Sequence, residues 1–166
     1  MSTFVTVGNR KEPFYRLLSA VSQVGSILPQ PIIVQHGHTQ FNDERFNCFD
    51  FIDGDNFVSC VKEASLIVSH GGAGSIMKCL LHSRKPLIVP RLSSFGEIVD
   101  DQQLELSRCL CEQNKIFLCE DGDLSAFFSC ASPGELACND FGLSSASDTL
   151  ASRKLFSDLL SCLIEP

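Results

Sequence analysis

The run Ser69-His70-Gly71-Gly72-Ala73-Gly74-Ser75 puts three glycines in four residues, directly after the apolar stretch Leu66-Ile67-Val68 and ahead of Ile76-Met77-Lys78-Cys79-Leu80-Leu81. A buried strand, a glycine-dense turn and a helix in that order aim main-chain N–H groups at whatever sits over the turn. The first N–H groups of a helix have no partner within it, and the aligned peptide dipoles leave partial positive charge at that end. Gly71, Gly72 and Gly74 carry no Cβ, so a phosphate can approach the backbone closely. The chemistry that fits is capture of an anion, a diphosphate above all. Ser75 either caps the helix or donates its hydroxyl to a phosphate oxygen. On the pattern alone, a tight strand-to-helix turn without a ligand is the alternative.

Better-known loops of this kind do not match. A Walker A loop needs Gly-Lys-Ser/Thr, whereas Gly74 is followed by Ser75-Ile76-Met77, and the dinucleotide fingerprint needs a third glycine where Met77 stands. A nucleophile elbow needs glycines two residues either side of its serine, and Ser75 has Ala73 and Met77 there. His36-Gly37-His38 and His82 are weak signals for a metal or a base, and surface or turn-stabilising roles suit them better. The nine cysteines include no Cys-x-x-Cys pair, and their odd number argues for reduced thiols over a zinc site or a disulfide framework. Cys79 falls on an apolar helix face, where a cysteine acts as a small hydrophobe.

The elements that must position the glycine run follow from periodicity. Phe4–Val7 is a β-type run ended by Gly8-Asn9, and Phe14, Leu17, Leu18 and Val21 have helical spacing within Pro13–Val24. Further strands are expected at Pro31–Gln35, Phe49–Ile52, Leu66–Ser69, Leu87–Val89 and Lys115–Cys119, with helices at Phe57–Ala64 and Asp100–Gln113. Strands and helices that alternate, with strands apolar on both faces, imply an α/β, Rossmann-like parallel sheet covered on two sides. Such sheets bind ligands at the carboxyl ends of their strands, where Gly8, the Ser69–Ser75 turn and the Pro90–Glu97 loop would gather. Residues 1–128 form this domain. The stretch 129–149, rich in Ser, Ala, Gly, Asp and Asn, reads as a loop or linker. In 150–166, Leu150, Leu155, Leu159, Leu160 and Leu163 space an amphipathic helix, which either covers its own sheet or docks a second subunit.

Composition narrows the function. With 166 residues, 44% of them hydrophobic, the chain suits one well-packed domain with a tail. A net charge of −7 and the lack of a basic stripe argue against nucleic acid as a partner. No long apolar run or signal-like amino terminus is present, so a cytosolic chain that neither spans a membrane nor is exported is expected.

Four segments together carry a family resemblance: Phe4-Val-Thr-Val-Gly8, Val68-Ser-His-Gly-Gly-Ala-Gly-Ser-Ile76, Lys85-Pro-Leu-Ile-Val-Pro-Arg91 and Phe95-Gly-Glu-Ile-Val-Asp-Asp-Gln-Gln-Leu-Glu-Leu106. The chain resembles the carboxyl-terminal half of a family 28 GT-B glycosyltransferase. More narrowly, it is similar to the stand-alone donor-binding subunits of that family, which serve dolichol-linked chitobiose synthesis and, in bacteria, exopolysaccharide and capsule assembly. The resemblance implies an inverting transferase that passes a sugar, N-acetylglucosamine or another hexose, from a UDP-sugar to a lipid-linked acceptor. It implies that His70, Gly71, Gly72, Ala73, Gly74 and Ser75 hold the diphosphate without an obligatory metal or other cofactor. Asp100, Asp101, Gln102 and Gln103 are then expected at the sugar hydroxyls, with the dipole-complementing start of a helix as their other reading. Gly8, Asn9, Arg91 and Glu97 complete the expected cleft.

A GT-B enzyme needs two lobes, and this chain supplies one. The resemblance therefore implies a membrane-associated partner with the acceptor half and the general base, inactivity of the isolated chain, and recruitment to the cytosolic face of a membrane. One departure stands out: Lys78 occupies a position where the family commonly has a carboxylate that grips the ribose hydroxyls, and a lysine cannot accept those bonds. That favours the alternative function, a non-catalytic nucleotide-sugar-binding regulatory module. An unrelated hydrolase or phosphatase lacks any recognisable motif here.

Overall fold

The computed structural model describes residues 1–137 together with Ser157 and Ser161. Its strands are β1 (Thr3–Thr6), β2 (Ile32–Gln35), β3 (Asn47–Phe49), β4 (Leu66–Ser69), β5 (Leu87–Ile88) and β6 (Phe117–Leu118). They form one six-stranded sheet in the order β3-β2-β1-β4-β5-β6, and every pairing is parallel. The helices are α1 (Tyr15–Val24), α2 (Gly54–Glu63), α3 (Ala73–Leu81), α4 (Gln102–Glu112), α5 (Leu124–Cys130) and α6 (Pro133–Ala137). The expected α/β, Rossmann-like sheet is what the chain folds into.

The register explains why the strands are apolar on both faces. β1 pairs with β4 so that Phe4 lies beside Ile67 and Val5 beside Val68. Successive side chains of a strand point to opposite faces, so each pair serves a different core. Val5, Val68 and Leu87 pack with Leu17 and Val21 of α1 and with Leu124 and Phe128 of α5. Phe4 and Ile67 pack on the other face with Phe57 and Val61 of α2 and with Cys79 of α3. Ile88 extends that second face against Ile76 and Leu80 of α3 and Leu106 and Leu110 of α4. Full burial of each such Val, Leu, Ile or Phe side chain contributes about 1.5–3 kcal/mol. Burial also pushes the Cys79 thiol up to about 12, which leaves it protonated and inert.

The order reverses between β1 and β4. Chain that leaves β1 crosses toward β2, whereas chain that leaves β4 crosses toward β5, and the loops part to leave a crevice at the carboxyl ends of the two central strands. Gly8 and the glycine run both lie there.

Several expected boundaries move. The strand read at Phe49–Ile52 is Asn47–Phe49, because β2 offers ladder partners only at Ile33, Val34 and Gln35. α2 starts at Gly54 instead of Phe57: Asp53 caps it by accepting from the Asp55 and Asn56 N–H groups. α4 starts at Gln102 instead of Asp100. Within the stretch read as a loop from 129, α5 continues to Cys130 and α6 occupies Pro133–Ala137. The remainder of that stretch and the helix expected at 150–166 lie outside the described residues, apart from Ser157 and Ser161. Cys48, Cys60, Cys79, Cys111, Cys119 and Cys130 are free. Cys109 is disulfide-bonded, which corrects the reading of uniformly reduced thiols. Among the described residues, no helix is long and apolar enough to cross a membrane.

Candidate functional site

A cavity of about 400 Å³ occupies the crevice beyond β1 and β4. Its floor is the loop after β1, Gly8 and Asn9, and its inner wall is His70, Gly72, Gly74 and Ser75 at the start of α3. The opposite wall is Ile52, Gly54 and Phe57, where α2 begins, and Gln35 and Lys78 close the ends.

α3 opens this cavity with a bare amino terminus. Gly72 is the residue before the first helical turn, and no side chain caps the helix. Ser75 is already inside the helix, its N–H bonded to the Gly72 carbonyl at 3.1 Å, so its hydroxyl is not the cap and is left to face the cavity. The Ala73 and Gly74 amides belong to the first turn, whose N–H groups find no acceptor within a helix. Uncapped first-turn amides and the dipole of a nine-residue helix give the cavity a positive end.

His70 sits between the two loops. A Cβ on Gly8 would lie 2.5 Å from its Nε2, and a Cβ on Gly72 would lie 2.3 Å from the same atom. Gly8 also has φ +76°, a conformation that side chains with a Cβ rarely adopt. Two glycines thus admit the imidazole, whose residue is 6% exposed and whose Nδ1 has no hydrogen-bond partner. Burial, with a smaller push from the Arg91 charge, lowers its pKa from 6.5 to about 4, so the ring is neutral at pH 7. The unfolded chain takes up a proton below about pH 6.5 that the folded imidazole refuses until about pH 4. This contribution to stability is therefore whole above pH 6.5 and is lost as the pH falls toward 4, by about 3 kcal/mol at most. Urea unfolding of wild type and His70→Gln across that window is expected to show a shallower acid loss in the variant.

A polar relay fixes the floor. Thr6 Oγ1 donates to Gln35 Oε1 at 2.5 Å, Gln35 Nε2 donates to Asn9 Oδ1 at 2.9 Å, and the Gly8 N–H donates to Thr6 Oγ1 at 3.2 Å. Gln35 is a cavity residue absent from the sequence reading. Its signal was a lone amide at the carboxyl end of the apolar run Ile32–Val34.

The other expected site residues are placed differently. Arg91 is fully buried, and its guanidinium donates to the carbonyls of Val7 (3.1 Å), Glu12 (2.8 Å) and Glu97 (3.2 Å) while stacking on Phe14. Glu97 holds Arg16 through both carboxylate oxygens, at 3.0 and 2.8 Å, and accepts the Leu92 N–H. Both side chains tie loops together, and neither lines this cavity. The Asp101 carboxylate takes the N–H and hydroxyl of Ser93, at 2.8 and 3.0 Å, which is why it does not cap α4. Asp100 and Gln102 are exposed. Gln103 is the member of that run nearest the glycine loop: a Cβ on Gly71 would stand 3.0 Å from its own Cβ, and its Oε1 accepts the Arg91 N–H at 3.3 Å. None of the four lines the cavity.

His36 is tied by Nδ1 to the Thr39 carbonyl at 2.8 Å and by Nε2 to Asp50 at 3.2 Å, a turn-stabilising arrangement. Among the described residues, no group of three or more His, Cys, Asp or Glu side chains is placed to hold a metal ion.

Comparisons with known proteins bear on this geometry. A family model described as the glycosyltransferase family 28 C-terminal domain matches residues 3–114. The human UDP-N-acetylglucosamine transferase subunit ALG13 is 27% identical over 106 residues, which are 64% of this chain and 8% of that protein. Among solved structures, the glycosyltransferase SnogD from Streptomyces nogalater superposes with a TM-score of 0.56 at 15% identity, over 95% of this chain and 43% of SnogD. The chain thus spans less than half of that structure and a small part of the human relative.

Proposed function

The chain belongs to the glycosyltransferase family 28 C-terminal domain family, and from that premise we propose that it is the donor-binding half of a sugar transferase that uses a UDP-sugar. The observation that carries the proposal is the cavity at the topological switch point, where the bare amino terminus of α3 and the neutral His70 face the same space. A diphosphate fits this arrangement: the Ala73 and Gly74 amides and the Ser75 hydroxyl donate to its oxygens, and His70 gives a further donor in its neutral form. The resemblance to a human protein named as a transferase subunit supports the same donor class.

The site's contribution to the reaction is electrostatic. Inverting transfer breaks the bond between the sugar C1 and the diphosphate oxygen and leaves the electron pair on that oxygen. Donors that already point at it stabilise the charge without reorientation. Among the described residues no carboxylate lines the cavity, and we place the base that takes the acceptor's proton outside this chain. We assign it to a membrane-associated partner that carries the amino-terminal half and binds a lipid-linked acceptor. This chain, alone, binds donor and transfers nothing; with the partner it works at the cytosolic face of a membrane, without an obligatory metal.

Calorimetric titration with UDP and UDP-N-acetylglucosamine, followed by donor turnover with and without the partner half, tests the reading. Binding by the chain alone and turnover only with the partner are expected. Full-rate transfer by the isolated chain would end the split-enzyme proposal. Binding that never leads to turnover would establish the second reading, a regulatory nucleotide-sugar module, which Lys78 favours.

A further inference from the structure

Among the described residues that line the cavity, one side chain is of a cationic type. Asn9, Gln35 and Ser75 are uncharged, His70 is neutral, and the exception is Lys78. It lies on α3 one helical turn beyond Gly74, so its Cα is about 6 Å further along the axis. Helical side chains lean toward the amino terminus of their helix, which carries the lysine stem back over Gly74 and Ser75. That space is open: a Cβ built on Gly74 meets nothing within 4 Å. In the structure the ammonium rests 4.7 Å from the centroid of the Phe57 ring, on the opposite wall. None of the ion pairs among the described residues engages it. A cation–π contact of this exposed kind is weaker than a charge-assisted bond to a phosphate.

We propose that Lys78 is a phosphate-neutralising residue: when a nucleoside diphosphate occupies the cavity, the ammonium leaves the Phe57 ring and pairs with the phosphoryl group held at the start of α3. This rests on the reading of the cavity as a nucleoside-diphosphate-sugar site and adds to it the group that supplies the positive charge. The amides contribute partial charges, whereas a diphosphate carries at least two full ones. An ammonium on a flexible stem, parked on an aromatic face, meets that difference. Lys78 is exposed, which makes the interaction open to screening by salt. The same lysine therefore sets selectivity by charge, for diphosphate over monophosphate.

Titration of the intact chain with UDP and with UMP, at low and at high salt, tests this for wild type, Lys78→Met and Lys78→Arg. UDP affinity is expected to fall about 5- to 20-fold in the methionine variant, with a smaller loss for UMP and a flatter salt dependence. The arginine variant, which keeps the charge, is expected to retain most of the affinity and the salt dependence. Unchanged UDP affinity and salt dependence in Lys78→Met would overturn the role of Lys78 and leave the donor-site reading standing. Failure of wild type to bind either nucleotide would overturn both.

Discussion

Replacement of Arg91 by methionine is expected to lower unfolding stability by about 3–5 kcal/mol, from several buried carbonyls at about 1–3 kcal/mol each, while the affinity for UDP changes little. The reason is the number of groups that lose their partner together. The guanidinium serves the carbonyls of Val7, Glu12 and Glu97, reaches Pro13 at 3.4 Å, and stacks on Phe14 at 4.6 Å. A buried carbonyl left without a donor costs about 1–3 kcal/mol, and methionine fills the volume but donates nothing. Arg91 Nε itself is buried without a partner, so the residue already bears part of the cost of desolvation, and only its several carbonyl bonds offset it. Lysine is not an adequate substitute. Its compact ammonium cannot reach acceptors on both sides of a planar fork, and about half the loss or more is expected to persist in Arg91→Lys. Urea midpoints and slopes for wild type, Arg91→Met and Arg91→Lys measure this. A stable methionine variant that no longer bound UDP would instead put Arg91 in the ligand site.

That contrast shows what the residues alone reveal and what they conceal. The glycine run was legible because helix starts and close backbone approaches depend on local properties: absent Cβ atoms, unpaired amides, and an apolar run on either side. The strands were legible for a similar reason, since a parallel sheet buried on two faces needs continuous runs such as Leu66–Ser69. Arg91 was not legible. An arginine after a strand and near a phosphate loop has the right charge for a ligand, and nothing nearby in sequence marks it as a core residue. Its acceptors at Val7, Glu12 and Pro13 lie 84, 79 and 78 residues earlier in the chain and become neighbours only through the β1-β4-β5 order. The contact made by Asp101 was hidden in the same manner, since its partner, Ser93, sits on a turn (Ser93–Phe95) that carries no periodic signal. The helix starts at Gly54 and Gln102 depended on which carboxylate was free to cap, a choice made by tertiary contacts.

Alanine in place of Gly72 is expected to weaken UDP binding by about 100-fold or more, the counterpart to Arg91 in which the ligand site fails and the fold survives. The backbone at Gly72 has φ −74°, which any residue adopts, so the substitution introduces no backbone strain. The added methyl instead meets the imidazole at 2.3 Å from Nε2 and 2.9 Å from Cδ2. The ring is buried, with the Gly8 backbone on its other side so close that even a Cβ there would stand 2.5 Å from it, and overpacking of this kind costs about 1–3 kcal/mol. Alanine at Gly8 adds the strain of φ +76° and is expected to cost about 1–2 kcal/mol more. If the clash with the imidazole is the cause, its removal relieves it. The double variant His70→Ala/Gly72→Ala is then expected to be no less stable than His70→Ala alone, with a coupling in the cycle equal to the whole cost of Gly72→Ala, about 1–3 kcal/mol. UDP binding would not return with stability, since the donor on His70 is gone. Additive losses in the cycle would show that Gly72 acts through the helix start itself, and that the imidazole is a bystander in the cavity wall.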